Sequence, residues 1–196
     1  MRKFRTESRI KKISETIRNR QFSLRVVIEN VHDPHNVSAV FRTCDAVGVP
    51  KVLLIYTVEE FPKISKVTSA SANKWIETEK FNSIQEGIDS LHKEGFKVYA
   101  SYLDKNAINL YDLDLTGKVA LVFGNEHRGI SEEMKEQADG LFYIPMYGMI
   151  QSLNISVAAA VTLYEAQRQR KVKGMYDKSE LTEEEINKLI DDWCEK

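Results

Sequence analysis

A few amides, one carboxylate and one cation, each close to the end of an apolar run, carry whatever chemistry this chain performs. In Asn30-Val-His-Asp-Pro-His-Asn-Val-Ser-Ala-Val-Phe-Arg-Thr-Cys-Asp-Ala-Val-Gly48, Asn36 is suited to cap a helix after the Pro34 turn. Arg42 lies six residues further on, nearly two helical turns, and is expected to share a face with Asn36 and point at whatever the loop binds. In Leu121-Val-Phe-Gly-Asn-Glu-His-Arg-Gly-Ile-Ser131, a hydrophobic strand ends in a glycine loop that carries Asn125 and Glu126. Ser131 should cap the next helix, which explains Glu132 and Glu133 as partners of its dipole; Glu126 has no such explanation. In Ile144-Pro-Met-Tyr-Gly-Met-Ile-Gln-Ser-Leu-Asn-Ile-Ser-Val-Ala-Ala-Ala160, Ser152 and Asn154 sit where a helix begins, and capping explains one of the two, not both. Residues of these types suit binding and charge stabilisation, and no activated nucleophile is among them.

Other chemistries lack their residues. No two of the nine glycines are spaced G-x-G and no phosphate loop is present, which disfavours NAD and nucleoside triphosphate reactions. His32 and His35 form an H-x-x-H without a nearby third ligand, so they read as loop hydrogen-bonding or substrate-contacting residues rather than a metal site. Cys44 falls on the apolar stripe of its helix and reads as a small buried hydrophobe.

The elements that must hold these groups alternate. Strands are expected at Leu24 to Glu29, Lys51 to Tyr56, Lys97 to Ser101, Val119 to Phe123 and Leu141 to Ile144. Helices are expected from Asn36 to Val47, Ile84 to Glu94 and about Ser152 to Lys171. This pattern predicts an α/β fold with a mostly parallel sheet sandwiched by helices, in which ligands bind at the carboxyl ends of strands. The slim run Ala158-Ala159-Ala160 suits close packing in the core or against another subunit.

With 196 residues, 42% hydrophobic and 29% charged, the chain has the make-up of a soluble globular protein with one main domain. No stretch is long and apolar enough for a membrane span, and the charged N-terminus lacks the apolar core of a leader, so a cytosolic location with two reduced cysteines is expected. The formal net charge of −1 conceals an asymmetry. Residues 1–25 hold nine Lys/Arg against two Glu, whereas residues 177–196 hold three Lys against eight Asp/Glu. A basic helix over residues 6–20 and the run Arg168-Gln-Arg-Lys-Val-Lys173 suggest an anionic partner such as nucleic acid. Three parts follow: a basic N-terminal helix (1–22), a main domain (23–174) and an acidic tail (175–196) with a capping box at Thr182 and Glu185.

In order and spacing the three motifs closely resemble those of the SpoU family of RNA ribose 2′-O-methyltransferases, over about residues 24–172. The resemblance implies a SPOUT fold whose C-terminal part forms a deep trefoil knot, with S-adenosylmethionine held there by Ser101, Gly124, Ile144 and Leu153 and with Met149 lining the pocket. It implies Arg42 as the catalytic residue, Asn36 and Glu126 positioning Arg42 and the ribose, and Ser152 and Asn154 holding loop and substrate, with no metal. It also implies a homodimer whose active site draws on both subunits. The basic helix and Glu165-Ala-Gln-Arg-Gln-Arg170 favour the tRNA-modifying branch, acting on the D-loop guanosine 18, with Arg5, Arg9, Lys11, Lys12, Arg168 and Arg170 gripping phosphates. An rRNA target or a non-catalytic RNA-binding factor are the alternatives.

Overall fold

Seven parallel strands carry the molecule: β1 (Leu24–Glu29), β2 (Lys51–Ile55), β3 (Glu77–Phe81), β4 (Lys97–Ser101), β5 (Ile108–Asn109), β6 (Val119–Phe123) and β7 (Gly140–Tyr143). The computed structural model describes residues 2–62 and 74–196. The sheet order is β3-β2-β1-β6-β4-β7-β5, so β6 is inserted between β1 and β4, and β7 between β4 and β5. Central strands are covered on both faces, which is why Leu-Arg-Val-Val-Ile-Glu and Val-Ala-Leu-Val-Phe read as unbroken buried runs.

Helices α2 (Pro34–Val47) and α5 (Ile155–Val172) pack together on one face, where Val37, Val40, Phe41, Ala159 and Leu163 meet Leu24, Val26 and Ile28. On the other, α3 (Ile84–Lys93) and α4 (Glu132–Gln137) bring Ile84, Ile88, Leu91 and Met134 onto Val27, Leu53 and Ala120. Ser131 caps α4, as expected, by accepting from the Met134 N–H. Cys44 is buried, and burial pushes its thiol pKa up.

The helix starts differ from the sequence reading. Asp33, not Asn36, caps α2 by accepting from the His35 N–H, with Pro34 at the first helical position. This leaves Asn36 inside the first turn with its side chain turned inward. Helix α5 begins at Ile155 rather than Ser152, capped by Asn154. Two strands were not anticipated: β3 reads Glu-Thr-Glu-Lys-Phe, a polar edge strand, and β5 is two residues long.

Helix α1 (Glu7–Arg18) packs on α6 (Glu183–Glu195) through Ile13, Ile17, Ile186, Ile190 and Cys194, a cluster separate from the two main cores. The expected capping box at Thr182 and Glu185 is present. The acidic tail is therefore the partner of the basic head: Arg18 binds Glu183 bidentately at 2.6 and 2.7 Å, Arg2 meets Asp191 at 2.7 Å, and Arg5 donates to the Cys194 carbonyl at 2.8 Å.

Candidate active site

Three strands adjacent in the sheet, β6, β4 and β7, end in the loops of a single cavity of about 830 Å³. Ser101 ends β4 and Leu103 follows it, Gly124 and Glu126 follow β6, Ile144 and Met146 follow β7, and Ser152, Leu153 and Asn154 close it at the start of α5. Its volume lies within the roughly 300–1,000 Å³ of small-molecule sites. Gly124 is obligatory: a Cβ there would meet the backbone of Gly129 and Ile130, because the loop folds back on itself through paired Asn125–Gly129 hydrogen bonds of 2.9 Å.

Of the expected cofactor-contacting residues, Ser101, Gly124, Ile144 and Leu153 line this cavity. Met149 does not. Its side chain is 99% exposed, and Met146 and Ile150 take the lining positions instead, because residues 148–150 run as an open turn. Tyr102, Phe123 and Gln151 also line the cavity; Phe123 and Gln151 lie within the second and third motifs, where nothing local assigns them a binding role.

Asn36, Glu126 and Asn154 come together as a hydrogen-bonded chain. Glu126 accepts from Asn36 Nδ2 at 2.9 Å and from the backbone N–H groups of His32 and Asp33 at 3.1 Å each, while Asn154 Nδ2 donates to Asn36 Oδ1 at 3.1 Å. Burial raises the Glu126 pKa, but the Asn36 amide and these backbone donors outweigh it and hold the carboxyl below its usual range. Glu126 is therefore an ionised anchor for the β1–α2 loop rather than a base. Tyr56, whose phenol donates to the Val31 carbonyl at 2.8 Å, is pushed upward by burial and by the Glu126 charge and stays protonated.

Asn30 and Asn125 buttress this loop. Asn30 adopts φ +49° and its Oδ1 accepts from the N–H groups of Thr57, Val58 and Glu59, while Asn125 Nδ2 donates to the Asn30 carbonyl at 2.7 Å.

Arg42 stands apart from this network. It is exposed on α2, does not line the cavity, and makes no hydrogen bond to Asn36 or Glu126 among the described residues. Six residues of helix rotate by about 240°, which separates the two side chains around the helix axis. Ser152 is exposed at the cavity mouth.

Among the proposed phosphate contacts, Arg9, Lys11, Lys12 and Arg168 are exposed, Arg168 while paired with Glu165 at 2.8 Å. Arg170 is a correction. It is fully buried and donates to the carbonyls of Leu115, Ser23 and Gly117 and to Ser23 Oγ, so it ties α5 to the sheet and is inaccessible to RNA.

Fold and cavity define an α/β protein that takes its ligand at the carboxyl ends of parallel strands. Comparison with known proteins narrows the class: residues 23–164 match the SpoU rRNA Methylase family, and the chain belongs to that family. It is 45% identical over 192 residues, 98% of each chain, to the tRNA (guanosine(18)-2'-O)-methyltransferase of Thermus thermophilus. The crystal structure of the Aquifex aeolicus TrmH/SpoU tRNA modifying enzyme superposes with a TM-score of 0.90 at 42% identity, covering 96% of each chain. The AdoMet-bound rRNA methyltransferase from Sinorhizobium meliloti gives a TM-score of 0.68 at 27% identity, covering 79% of this chain and 59% of that one.

Proposed function

We propose that this protein methylates a ribose 2′-hydroxyl of tRNA, at the D-loop guanosine 18, using S-adenosylmethionine. The observation that carries the reading is the cavity at the ends of β4, β6 and β7 with the Glu126–Asn36–Asn154 chain at its edge, in a molecule that matches a guanosine-18 methyltransferase along 98% of its length. Leu103, Ile144, Met146 and Leu153 offer apolar surface for the cofactor, and Gly124 lets the loop after β6 fold back tightly beside the cavity, so the residues present fit it. Bound there, S-adenosylmethionine supplies an electrophilic methyl on a positively charged sulfur.

The chain's own residues do the rest. Arg42, always protonated, holds the phosphate beside the target and stabilises the charge that develops on the 2′-oxygen. Asn154 and Ser152 orient the ribose at the cavity mouth, and Asn36 fixes Asn154. Since Glu126 and Tyr56 are poor bases, the proton leaves to phosphate or solvent.

Arg42 of one chain serves the cavity of another in this reading, which makes the working unit a homodimer. Support comes from the outward face of α5, where Val157 and Tyr164 are 46% and 52% exposed beside the slim Ala158 and Ala160, and from the displacement of Arg42 from its own cavity. Residues 23–174 form the catalytic domain, with residues 1–22 and 175–196 as a paired attachment, and the enzyme works on tRNA in the cytoplasm.

The test is methyl transfer from labelled S-adenosylmethionine to unmodified tRNA transcript, with the modified nucleotide mapped. Label on the guanosine 18 ribose, lost in Arg42→Ala, is expected; label on rRNA alone would overturn the tRNA assignment.

A further inference from the structure

The chain's two tryptophans, far apart in sequence, meet on the surface where α1, α6 and the turn before β3 converge. Trp75 and Trp193 lie 4.9 Å apart between ring centroids, and both are half-buried. Four cations crowd them. Arg9 and Lys74 stand over Trp75 at 5.2 and 5.1 Å, and Arg20 stands over Trp193 at 5.2 Å. Lys196 reaches both rings, at 5.5 Å from Trp193 and 6.0 Å from Trp75.

Two indoles could be covered by apolar side chains with no like-charge repulsion, so the choice of four cations calls for another cause. Arg20 is buried and pairs with Asp45 at 2.5 Å and with the Val49 and Trp75 carbonyls through its terminal nitrogens, while its Nε has no partner among the described residues. Arg9 and Lys74 form no ion pair among the described residues, and Lys196 donates to the Lys74 carbonyl at 2.9 Å. Asp192 and Glu77 are the nearby carboxylates that act on Lys196, and they do not offset its burial together with the Arg20 and Lys74 charges, so its pKa lies below the usual value. The seam thus keeps uncompensated positive charge on an aromatic floor.

Its position adds direction. Asp45, which holds Arg20, lies three residues beyond Arg42 on α2, so the two are neighbours on the helix surface. The cluster continues outward from the candidate catalytic arginine.

We propose that Trp75, Trp193, Lys74 and Lys196, with Arg9, form an RNA-binding platform that holds tRNA away from the target ribose, cations on phosphates and indole faces on unpaired bases. The platform extends the basic face of α1 from Arg9 onto the two indoles and rests on tRNA being the substrate.

Because no other tryptophan is present, intrinsic fluorescence reports on this seam alone. Titrating unmodified tRNA into the full chain should change tryptophan emission with the same midpoint as direct binding. The surface variant Lys74→Ala/Lys196→Ala should bind tRNA about 3- to 10-fold more weakly and show a salt slope shallower by about one to two. The proposal is overturned if tRNA that the wild type methylates leaves the emission unchanged, or if the double variant matches the wild type in affinity and salt slope. Absence of both methylation and binding would remove the tRNA reading and the platform with it, an outcome distinct from methylation without a fluorescence change.

Discussion

Asn36 holds two sides of the site together because an amide offers both a donor and an acceptor. Its Nδ2 serves the Glu126 carboxylate and its Oδ1 receives Asn154. Asn36→Asp would set a second carboxylate against Glu126, raising the pKa of the pair, and the sign of its pH effect can be worked out. A raised folded pKa means stability that is present at low pH and lost as pH rises through it; wild-type Glu126, with its pKa lowered, contributes stability above the ordinary carboxylate pKa and loses it on acidification. Urea midpoints should therefore rise with pH for the wild type relative to Glu126→Gln on the acid side, up to about pH 5.5, and between about pH 4 and 8 should fall with pH for Asn36→Asp relative to the wild type. Parallel profiles would contradict the ionised-anchor role. The sequence showed Asn36 as a cap because a short amide after Pro-His is well suited to that place; Asp33 takes the cap, and only the partner 90 residues away reveals what Asn36 does. The same holds for Arg42, visible as a lone cation whose displacement from the cavity depends on helix phase and on the three-dimensional placement of α2.

At the scale of elements, continuous apolar runs made the inner strands legible, whereas β3 was not, since Glu-Thr-Glu-Lys-Phe turns a single apolar side chain, Phe81, to the core. Which strand inserts between which is a long-range property, and no local pattern encodes that β6 lies beside β1. Loop closure tests the site directly. Gly124→Ala places a methyl against the backbone of Gly129 and Ile130, so the loop must open; stability should fall by about 1–3 kcal/mol, with S-adenosylmethionine affinity reduced at least tenfold by calorimetry. The basic run at the end of α5 separates into two behaviours that composition could not distinguish. Arg170→Ala leaves the carbonyls of Leu115, Ser23 and Gly117 without their buried donor and should cost about 3–5 kcal/mol in chemical denaturation. Arg168→Ala, at a side chain 63% exposed, should leave the denaturation midpoint nearly unchanged and flatten the salt dependence of tRNA binding by about one unit of slope. A reversal of these two outcomes would restore Arg170 as an RNA contact.

Across the whole molecule, the opposite charges at the two ends of the chain resolve into a helix pair, so much of the apparent basic patch is spent on α6 and the RNA-facing share is smaller than composition suggests. The decisive question at this scale is whether Arg42 acts in its own chain or across a dimer. Subunit mixing answers it, because Arg42→Ala damages the donor of the cation while Asn154→Ala damages the cavity mouth. Each variant alone should be nearly inactive. If the two are unfolded, mixed in equal amounts and refolded together, about half of the dimers are heterodimers, and in each of these one of the two sites pairs an intact cavity with an intact Arg42. Methyl transfer should then recover to about one quarter of the wild-type rate. If Arg42 serves its own cavity, each subunit of the mixture still carries one lesion in its own site, and no activity returns. Sedimentation of the mixture at the same concentration confirms that dimers have formed, so a failure to recover activity counts against the shared site rather than against assembly.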